Sequence, residues 1–576
     1  MNSCCNSGAA LLVLLLLSAC TEQGAPIPLS TGLCQADPTP ITAIQGERYY
    51  SPMENSAVTV RGTVTHVSDN AGVYIENFAQ AWSGNQSRAL FVADKELSRS
   101  ALPGQLLAVS GRVAERGSSK DKQTSIIEIS EAGICAEQSS LPETAIKLPL
   151  DSKAREALEN MRVSFDQALT VTDVYKLSEG EVTLSDMGVL RIPTEVARPG
   201  QAASARQRKN REHSIVATLQ ETRLSAMPVG SHLDELTGVM GHSGRGQQLW
   251  LEGTPLTEIP QPDPIEPNTA GQVRVVSSNL LNFFNGDGSG GGFPTDRGAK
   301  THEEYLARAA RTRAAMARIQ PDLLAVQELE NDGFGALGAA QSLRALLNET
   351  GQADWAFVEP ESERIGSDVI TVGLFYRQQV LQAVESAHVL RSPEFKGLSR
   401  QPLAQLFRDR QSGVEFLAVA NHLKSKGGCP DDGPNADQNN GQGCWSPARV
   451  AAVDAQLEWL ENLSGKLGTE NILVLGDMNA YRMEDPVMRF KAASYVDLVE
   501  QLSGLPQHSF LYWGQTGTLD YIFASPEMAG YAQAAQIWHI NSNHARKMEH
   551  PQPWLRASDH DPVIVDFDFS QFATSN

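Results

Sequence analysis

The chain has 576 residues, 41% of them hydrophobic, a formal net charge of −21 and a pI near 5.1. A chain of that length can bury roughly two to four separate cores. The acidic balance excludes a protein held on nucleic acid by bulk electrostatics, although a local basic patch remains compatible with it.

Residues 1–19 read as a targeting segment ahead of the fold. Leu11 to Leu17 is an apolar stretch too short to span a bilayer. Leu17-Ser18-Ala19-Cys20 looks like a bacterial lipobox, with the departure that residues 1–10 contain no Lys or Arg. Cleavage before Cys20 leaves a lipidated cysteine on a tether over residues 20–39. The chain is therefore expected to be exported, either as an outer-membrane or cell-surface lipoprotein anchored through Cys20 or as a secreted protein. Cleavage also removes Cys4 and Cys5 of the seven cysteines. With Cys20 acylated, an even set remains, as an oxidising compartment favours. Neighbourhood pairs Cys34 with Cys135 and Cys429 with Cys444.

Residues 40–140 predict a small all-β domain. Val58 to Thr65 alternates with period two, Val73 to Glu76 and Ala89 to Val92 follow, and a turn at Leu102-Pro103-Gly104 precedes Leu106 to Val113 and Thr124 to Ile129. This pattern fits an OB-type barrel. Tyr74, Phe78, Trp82 and Arg88 are its candidates for base stacking, with barrel packing as the competing role. Residues 145–258 predict a second β module, with runs at Met161–Phe165, Leu169–Val171, Glu181–Leu184 and Val189–Ile192. Its Arg206-Gln207-Arg208-Lys209-Asn210-Arg211 is the densest basic run in the chain, read as a solvated loop or as a substrate contact. A proline-rich linker spans 259–270.

The last domain runs from 271 to 570. After a Gly-rich insertion, Thr301 to Glu304 forms a capping box. Tyr305, Ala309, Thr312, Met316 and Ile319 mark one face of a helix over 302–319. Four apolar runs then share one feature. Val273 to Ser277 leads into Asn279, Leu323 to Gln327 into Glu328, Phe416 to Ala420 into Asn421-His422, and Ile472 to Leu475 into Asp477 and Asn479. A reversed case, Ser558-Asp559-His560-Asp561, precedes the alternating run from Val563. Ligands of α/β folds gather at strand ends, and carboxylates and amides there are hard donors suited to Mg²⁺ or Mn²⁺.

The ordered set Asn279, Gln327-Glu328, Asn421-His422, Gly476-Asp477-Met478-Asn479, Leu519-Asp520-Tyr521 and Ser558-Asp559-His560 resembles the endonuclease/exonuclease/phosphatase superfamily. The 40–140 barrel resembles the OB modules that precede the catalytic domain in its secreted bacterial nuclease branch. The resemblance implies an α/β catalytic domain built as a two-sheet β-sandwich flanked by helices in four layers, preceded by small all-β modules. It implies Glu328, Asn279 and Asp559 as metal ligands, and Asp477 and Asn479 as orienting groups for water or a second ion. His560, oriented by Asp520, and His422 become the acid/base pair. Arg400, Lys424, Lys426 and Arg449 become the substrate-phosphate contacts, and Asp368 matches a Gly-Thr-Asp segment through Ser367-Asp368. Residues 427–444 are rich in Asp and Asn, and read either as a disulfide-closed solvated loop or as a structural Ca²⁺ site.

The expected activity is metal-dependent hydrolysis of DNA with little sequence preference by a monomeric enzyme, with RNA left open as a second substrate. Rival readings are a sphingomyelinase or phosphoinositide phosphatase of the same superfamily, and an inactive DNA-binding surface lipoprotein.

Overall fold

The computed structural model describes residues 31–118, 121–137, 141–219, 227–243, 246–253, 259–262, 264–267, 269, 271–504 and 506–570. Residues 1–30, which include the expected targeting segment and Cys20, and part of the expected linker lie outside the described residues. Among the described residues no helix is long and apolar enough to cross a membrane. The chain divides into two compact units. One comprises Met1–Thr144, Lys153–Val163 and Val239–Gln247; the other comprises Ala145–Ser152, Ser164–Gly238 and Gln248–Asn576.

In the first unit, strands Ala57–Ser68, Gly72–Glu76, Ala89–Val92, Gln105–Ser118 and Asp121–Glu137 close into a barrel. Closure comes from the first strand, which pairs with both the second and the fourth, while the third runs parallel to the fifth. The period-two alternation delivers Val58, Val60, Val64, Val73 and Ile75 to one core. A Cys34–Cys135 bridge ties the segment ahead of the barrel to its last strand. The four candidate stacking residues are engaged in packing. Tyr74 is buried against Phe91, with ring centroids 4.8 Å apart. Trp82 donates its indole N–H to the Ala157 carbonyl at 3.0 Å. Arg88 pairs with buried Glu76 at 2.8 Å and lies over the Phe78 ring. A small barrel has few other places for large rings, so these residues serve its interior and rim.

The second unit is a mixed α/β fold carrying two six-stranded sheets. One has the order Trp355–Phe357, Ile370–Arg377, Leu323–Glu330, Gln272–Phe283, Val563–Asp568, Ala532–Ile537. The other has the order Leu381–Val389, Arg400–Asp409, Glu415–His422, Ile472–Asp477, Asp520–Ala524, Val496–Asp497. Each sheet centres on a parallel pair with antiparallel neighbours. Val275, Ala325 and Val372 of the first meet Phe407, Ala418, Leu473 and Ile522 of the second in one core, so the sheets stack face to face. On the outer faces, helices His302–Ile319 and Ala339–Asn348 cover Val276, Leu324 and Val326. Helices Ser446–Leu467 and Asp485–Ala492 cover Val419, Val474 and Phe523. Both faces of the central strands are therefore buried, which is why they read as continuous apolar runs.

The first of these helices starts as its sequence predicts. The Thr301 hydroxyl accepts from the Glu304 amide at 3.1 Å, and Ala309, Thr312, Met316 and Ile319 are buried. Two expectations for the preceding segment change. Val189–Ile192 forms no strand; Arg191 makes a single bridge to Thr516. The basic run is a helix, Gln201–Glu212, and not a loop. Its Ala, Gln, Arg and Lys are strong helix formers, and Asn210 anchors it by donating to the Arg191 carbonyl at 2.7 Å and to Gln515 Oε1 at 2.5 Å.

Candidate active site

Strand register sets out one half of the site. Across the second sheet Arg400 pairs with His422, His422 with Asp477, and Asp477 with Asp520, so a single row at the strand ends carries four polar side chains. Gly476, with φ at 146°, leaves no room for a Cβ, which would lie 1.9 Å from the Asn421 carbonyl oxygen. That close approach brings the strand bearing Asp477 tightly against the strand bearing His422.

The other half comes from the first sheet. Pairing shifts register beyond Asn279 and between Val326 and Leu329, and Glu328 sits in that irregularity with φ at 61°. A bulge of this kind re-aims a side chain. Asn279 joins the halves, donating to Glu328 Oε1 at 3.4 Å and to Asp477 Oδ2 at 3.3 Å. Asn479, also left-handed at φ 47°, donates its amide to Asp477 Oδ1 at 2.8 Å and its side chain to the Leu423 carbonyl at 3.1 Å.

His560 Nδ1 lies 2.7 Å from Asp520 Oδ2, and both are buried. Ser509 completes this pair. Its hydroxyl donates to Asp520 Oδ2 at 2.7 Å and accepts from the Leu519 amide at 3.0 Å. Burial alone would lower the His560 pKa. The charges of Asp520, Asp477 and Asp559 and the bond to Asp520 outweigh it and hold the imidazole well above its ordinary value. His422 differs: burial lowers it well below the ordinary value, and Arg400 and His560 push the same way. Its Nε2 stands 3.5 Å from Asp477 Oδ2. The two imidazoles are thus electrostatically unequal: the surroundings of His560 favour its charged form and those of His422 its neutral form. Burial raises Asp477, against the opposing charge of His560.

Three groups fit a hard cation. Burial raises the Glu328 carboxyl, Asp559 adds to that, and Glu328 Oε2 is buried with no hydrogen-bond partner. An unpartnered buried carboxylate oxygen beside an amide and a second carboxylate is a donor set for Mg²⁺ or Mn²⁺. Asp477, Asp520 and His560 also bring ligand atoms within 4.8 Å of one another, but there a hydrogen bond already joins the closest pair. His508, His539 and Asp561 form a second convergent group. The two rings stack at 4.0 Å, and Asp561 is satisfied by the Asn541 and Ser542 amides and the Ser542 hydroxyl. In the 427–444 loop, closed by Cys429–Cys444, Asn435 caps Ala448, and Asp437 and Asn440 accept from amides two residues on. Its polar groups hold turns, and among the described residues no three carboxylates converge there.

The expected phosphate contacts divide. Arg400 is aimed at the site: its Nη2 is 3.3 Å from Asp368 Oδ2, its Nε is buried without a partner, and it feels the charges of Glu328 and Asp477. Asp368 also meets Arg297 at 3.5 Å. Arg449, by contrast, is fully buried and donates to the Lys424 carbonyl at 3.0 Å. Lys426 donates to the Gln442 carbonyl and pairs with Glu484 at 2.6 Å; burial lowers it to about 8. Lys424 donates to the carbonyls of Ser425 and Gly427, both at 2.9 Å. Arg449 and Lys426 thus fasten the disulfide loop, whereas half-buried Lys424 bonds its own segment and lies near enough to Arg400, Arg297 and Asp368 to feel their charges. Sequence reasoning missed Ser509, Arg297 and Phe510, whose ring lies 4.6 Å from that of His560. All three lie on irregular stretches or a short hairpin with no periodic signal.

Carboxylates, amides and a His–Asp pair gathered at the ends of two stacked sheets define a hydrolase of phosphate esters or phosphodiesters. Residues 276–560 match the model of the Endonuclease/Exonuclease/phosphatase family, and this span is a domain of that family. Human nocturnin is 24% identical over 328 residues, covering 53% of this chain and 67% of nocturnin. Among solved structures, an endonuclease/exonuclease/phosphatase from Bacteroides vulgatus aligns at 18% identity and a TM-score of 0.35, covering 51% of this chain and 98% of that one. The human nocturnin catalytic domain with bound sulfate aligns at 18% identity and a TM-score of 0.34, covering 52% and 96%.

Proposed function

We propose that the chain is an exported, divalent-metal-dependent nuclease that hydrolyses phosphodiester bonds of DNA with little sequence preference. The observation that carries this reading is the convergence of Asp477 and the His560–Asp520 pair, within 4.8 Å of one another, on the rim where Asn279 and Glu328 stand.

Hydrolysis forms a water oxygen–phosphorus bond and breaks a phosphorus–ester oxygen bond. Asp477, raised by burial, takes the proton of the attacking water, while Asn479 and neutral His422 fix its orientation. His560 carries a proton held by Asp520, so it stabilises the charge that spreads on the phosphate and can protonate the leaving oxygen. Arg400 offers its unpartnered Nε to a second phosphate oxygen. Glu328, Asn279 and Asp559 would hold the divalent ion, which supplies further charge stabilisation at the phosphate when bound. All these groups address phosphate and none a base, which supports weak sequence preference.

The closed barrel of the first unit is taken as an OB-type module, and Cys20 as a lipid anchor. Incubating closed circular DNA with the purified protein in EDTA, Mg²⁺, Mn²⁺ or Ca²⁺ tests the reading and also separates endonucleolytic from terminal attack. Parallel incubations with RNA and sphingomyelin define the substrate. Metal-dependent release of phosphocholine with intact DNA would replace the nuclease by the sphingomyelinase alternative.

A further inference from the structure

The hairpin Phe510–Tyr512/Gln515–Gly517 ends in a two-residue turn, Trp513-Gly514, closed by the Tyr512–Gln515 pair. Both turn residues are left-handed, with φ 49° at Trp513 and 72° at Gly514. Such turns favour Asn, Asp or Gly at the first position, and a bulky residue there is strained. Trp513 is nevertheless 78% exposed and Tyr512 is 55% exposed. Burial therefore gives no return for placing an indole at this position. The tip is also held firmly. The Thr172 hydroxyl donates to the Gly514 carbonyl at 2.6 Å, and the Thr516 amide donates to the Leu190 carbonyl at 2.8 Å.

The hairpin starts at the candidate site. Phe510 packs on His560, and Tyr512, two residues along the strand, points to the same face. At about 3.3 Å per residue the Trp513 tip stands roughly 10 Å further out. The basic helix Gln201–Glu212 is fastened beside it: Asn210 binds Gln515, and at the other end the Gly200 amide donates to the Asn440 carbonyl at 2.7 Å. The helix thus runs about 18 Å from the disulfide loop to the hairpin. One turn before Asn210, Arg206 is half-buried, and its Nε is buried with no partner among the described residues. Arg208 and Lys209 are exposed.

We infer that the Tyr512–Trp513 tip and the helix Gln201–Glu212 form a track for the single-stranded segment of nucleic acid flanking the scissile phosphate. One base stacks on Trp513, and backbone phosphates meet Arg206 and its exposed neighbours. Rigid exposed aromatics beside exposed cations suit a stacked polyanion, because every base has a π-face and every linkage a charge. This inference rests on the nuclease reading of the site and extends it by naming the strand state it engages.

The test uses the full chain, a labelled single-stranded DNA dodecamer and, as a substrate too small to reach the track, bis(p-nitrophenyl) phosphate. In EDTA, Trp513→Ala should weaken dodecamer binding about 5- to 100-fold, the range expected for one lost stack, and Trp513→Phe should restore most of it. Arg206→Gln should weaken binding and flatten its salt dependence by about 0.7 in log–log slope. Both Trp513→Ala and Arg206→Gln should raise KM for DNA in the presence of metal, while bis(p-nitrophenyl) phosphate turns over at the wild-type rate. If the wild type cuts DNA and both variants match it in affinity and KM, the track does not exist. If the wild type turns over the small ester but neither binds nor cuts any nucleic acid, the nuclease reading falls and the track with it. Binding of sphingomyelin vesicles that Trp513→Ala abolishes, without oligonucleotide binding, would likewise overturn the proposal in favour of a lipid-facing hairpin.

Discussion

Replacing Arg482 by Met should damage both stability and turnover, through charges that lie outside the reacting groups. The Arg482 side chain is 2% exposed, and its Nε lies 2.8 Å from Glu195 Oε1 while Nη1 bonds Asp497, both carboxylates being buried to 1%. Burial pushes the Glu195 carboxyl up; Arg482 and the Thr518 amide and hydroxyl, at 3.0 and 3.1 Å, oppose it. Thr518 lies two residues before Asp520, and Arg482 three after Asn479, so this network ties together the two loops that carry the acid/base groups. Met fills much of the volume but leaves two buried carboxylates without a cation. Breaking one side of such a pair costs about 3–5 kcal/mol, because the orphaned charge remains in a medium that solvates it poorly. Adding Glu195→Gln and Asp497→Asn removes those charges and should recover most of the loss. The chain holds two units, so a single unfolding transition is not assumed. Hydrogen exchange of peptides covering 472–482 and 518–524 reads the local opening free energy directly. Turnover of Arg482→Met should fall with the KM for bis(p-nitrophenyl) phosphate little changed. A loss below about 1 kcal/mol, or a neutral triple variant no more protected than Arg482→Met, would refute the reasoning.

The other predictions concern separate parts of the molecule. Glu328→Gln keeps the side-chain shape but removes a ligand charge; Mn²⁺ affinity by calorimetry should drop, and excess metal should restore part of the activity. His560→Ala should cost about 10² to 10⁴ in rate, with Mn²⁺ affinity retained and no rescue by metal; equal rescue of both variants would show the roles to be wrongly divided. Burial and the neighbouring His539 hold His508 down at about 3, below the ordinary histidine value. The unfolded chain therefore binds the proton first, and this stabilisation, complete above about pH 6.5, is lost as pH falls towards 3; about 2 kcal/mol should go between pH 6.5 and 5, and His508→Gln should show a smaller loss in the exchange of peptides covering 537–545. Wild-type protein should partition into detergent and Cys20→Ser into the aqueous phase, and a wholly aqueous, unacylated wild type would remove the lipid anchor.

What could be read in advance follows from where each side chain gets its direction. His422 and Asp477 stand at the ends of uninterrupted apolar strands and Asn279 just past the apolar run of its own, so period and run length already aim them at one rim; register then places Arg400, His422, Asp477 and Asp520 in a row. Lys426 and Arg449 carry the same charge in the sequence, yet they fasten a loop that folds back under a disulfide, and only tertiary contacts show that a carbonyl, and not a ligand, meets each guanidinium or ammonium. The basic run at 206–211 was legible as charge but not as helix, because Pro199-Gly200 and its lack of an apolar stripe resemble a loop. Its fixed position comes from contacts remote in sequence: Asn210 grips a hairpin more than three hundred residues away, and the Gly200 amide bonds the Asn440 carbonyl. Ser509 is the sharper case. Nothing in its neighbourhood is periodic, yet it orients Asp520 as firmly as Asp520 orients His560, at 2.7 Å in both contacts. Charge-bearing residues at strand ends announce chemistry, whereas the neutral hydroxyls and amides that aim them reach the site from loops, and their role exists only once the two sheets have stacked.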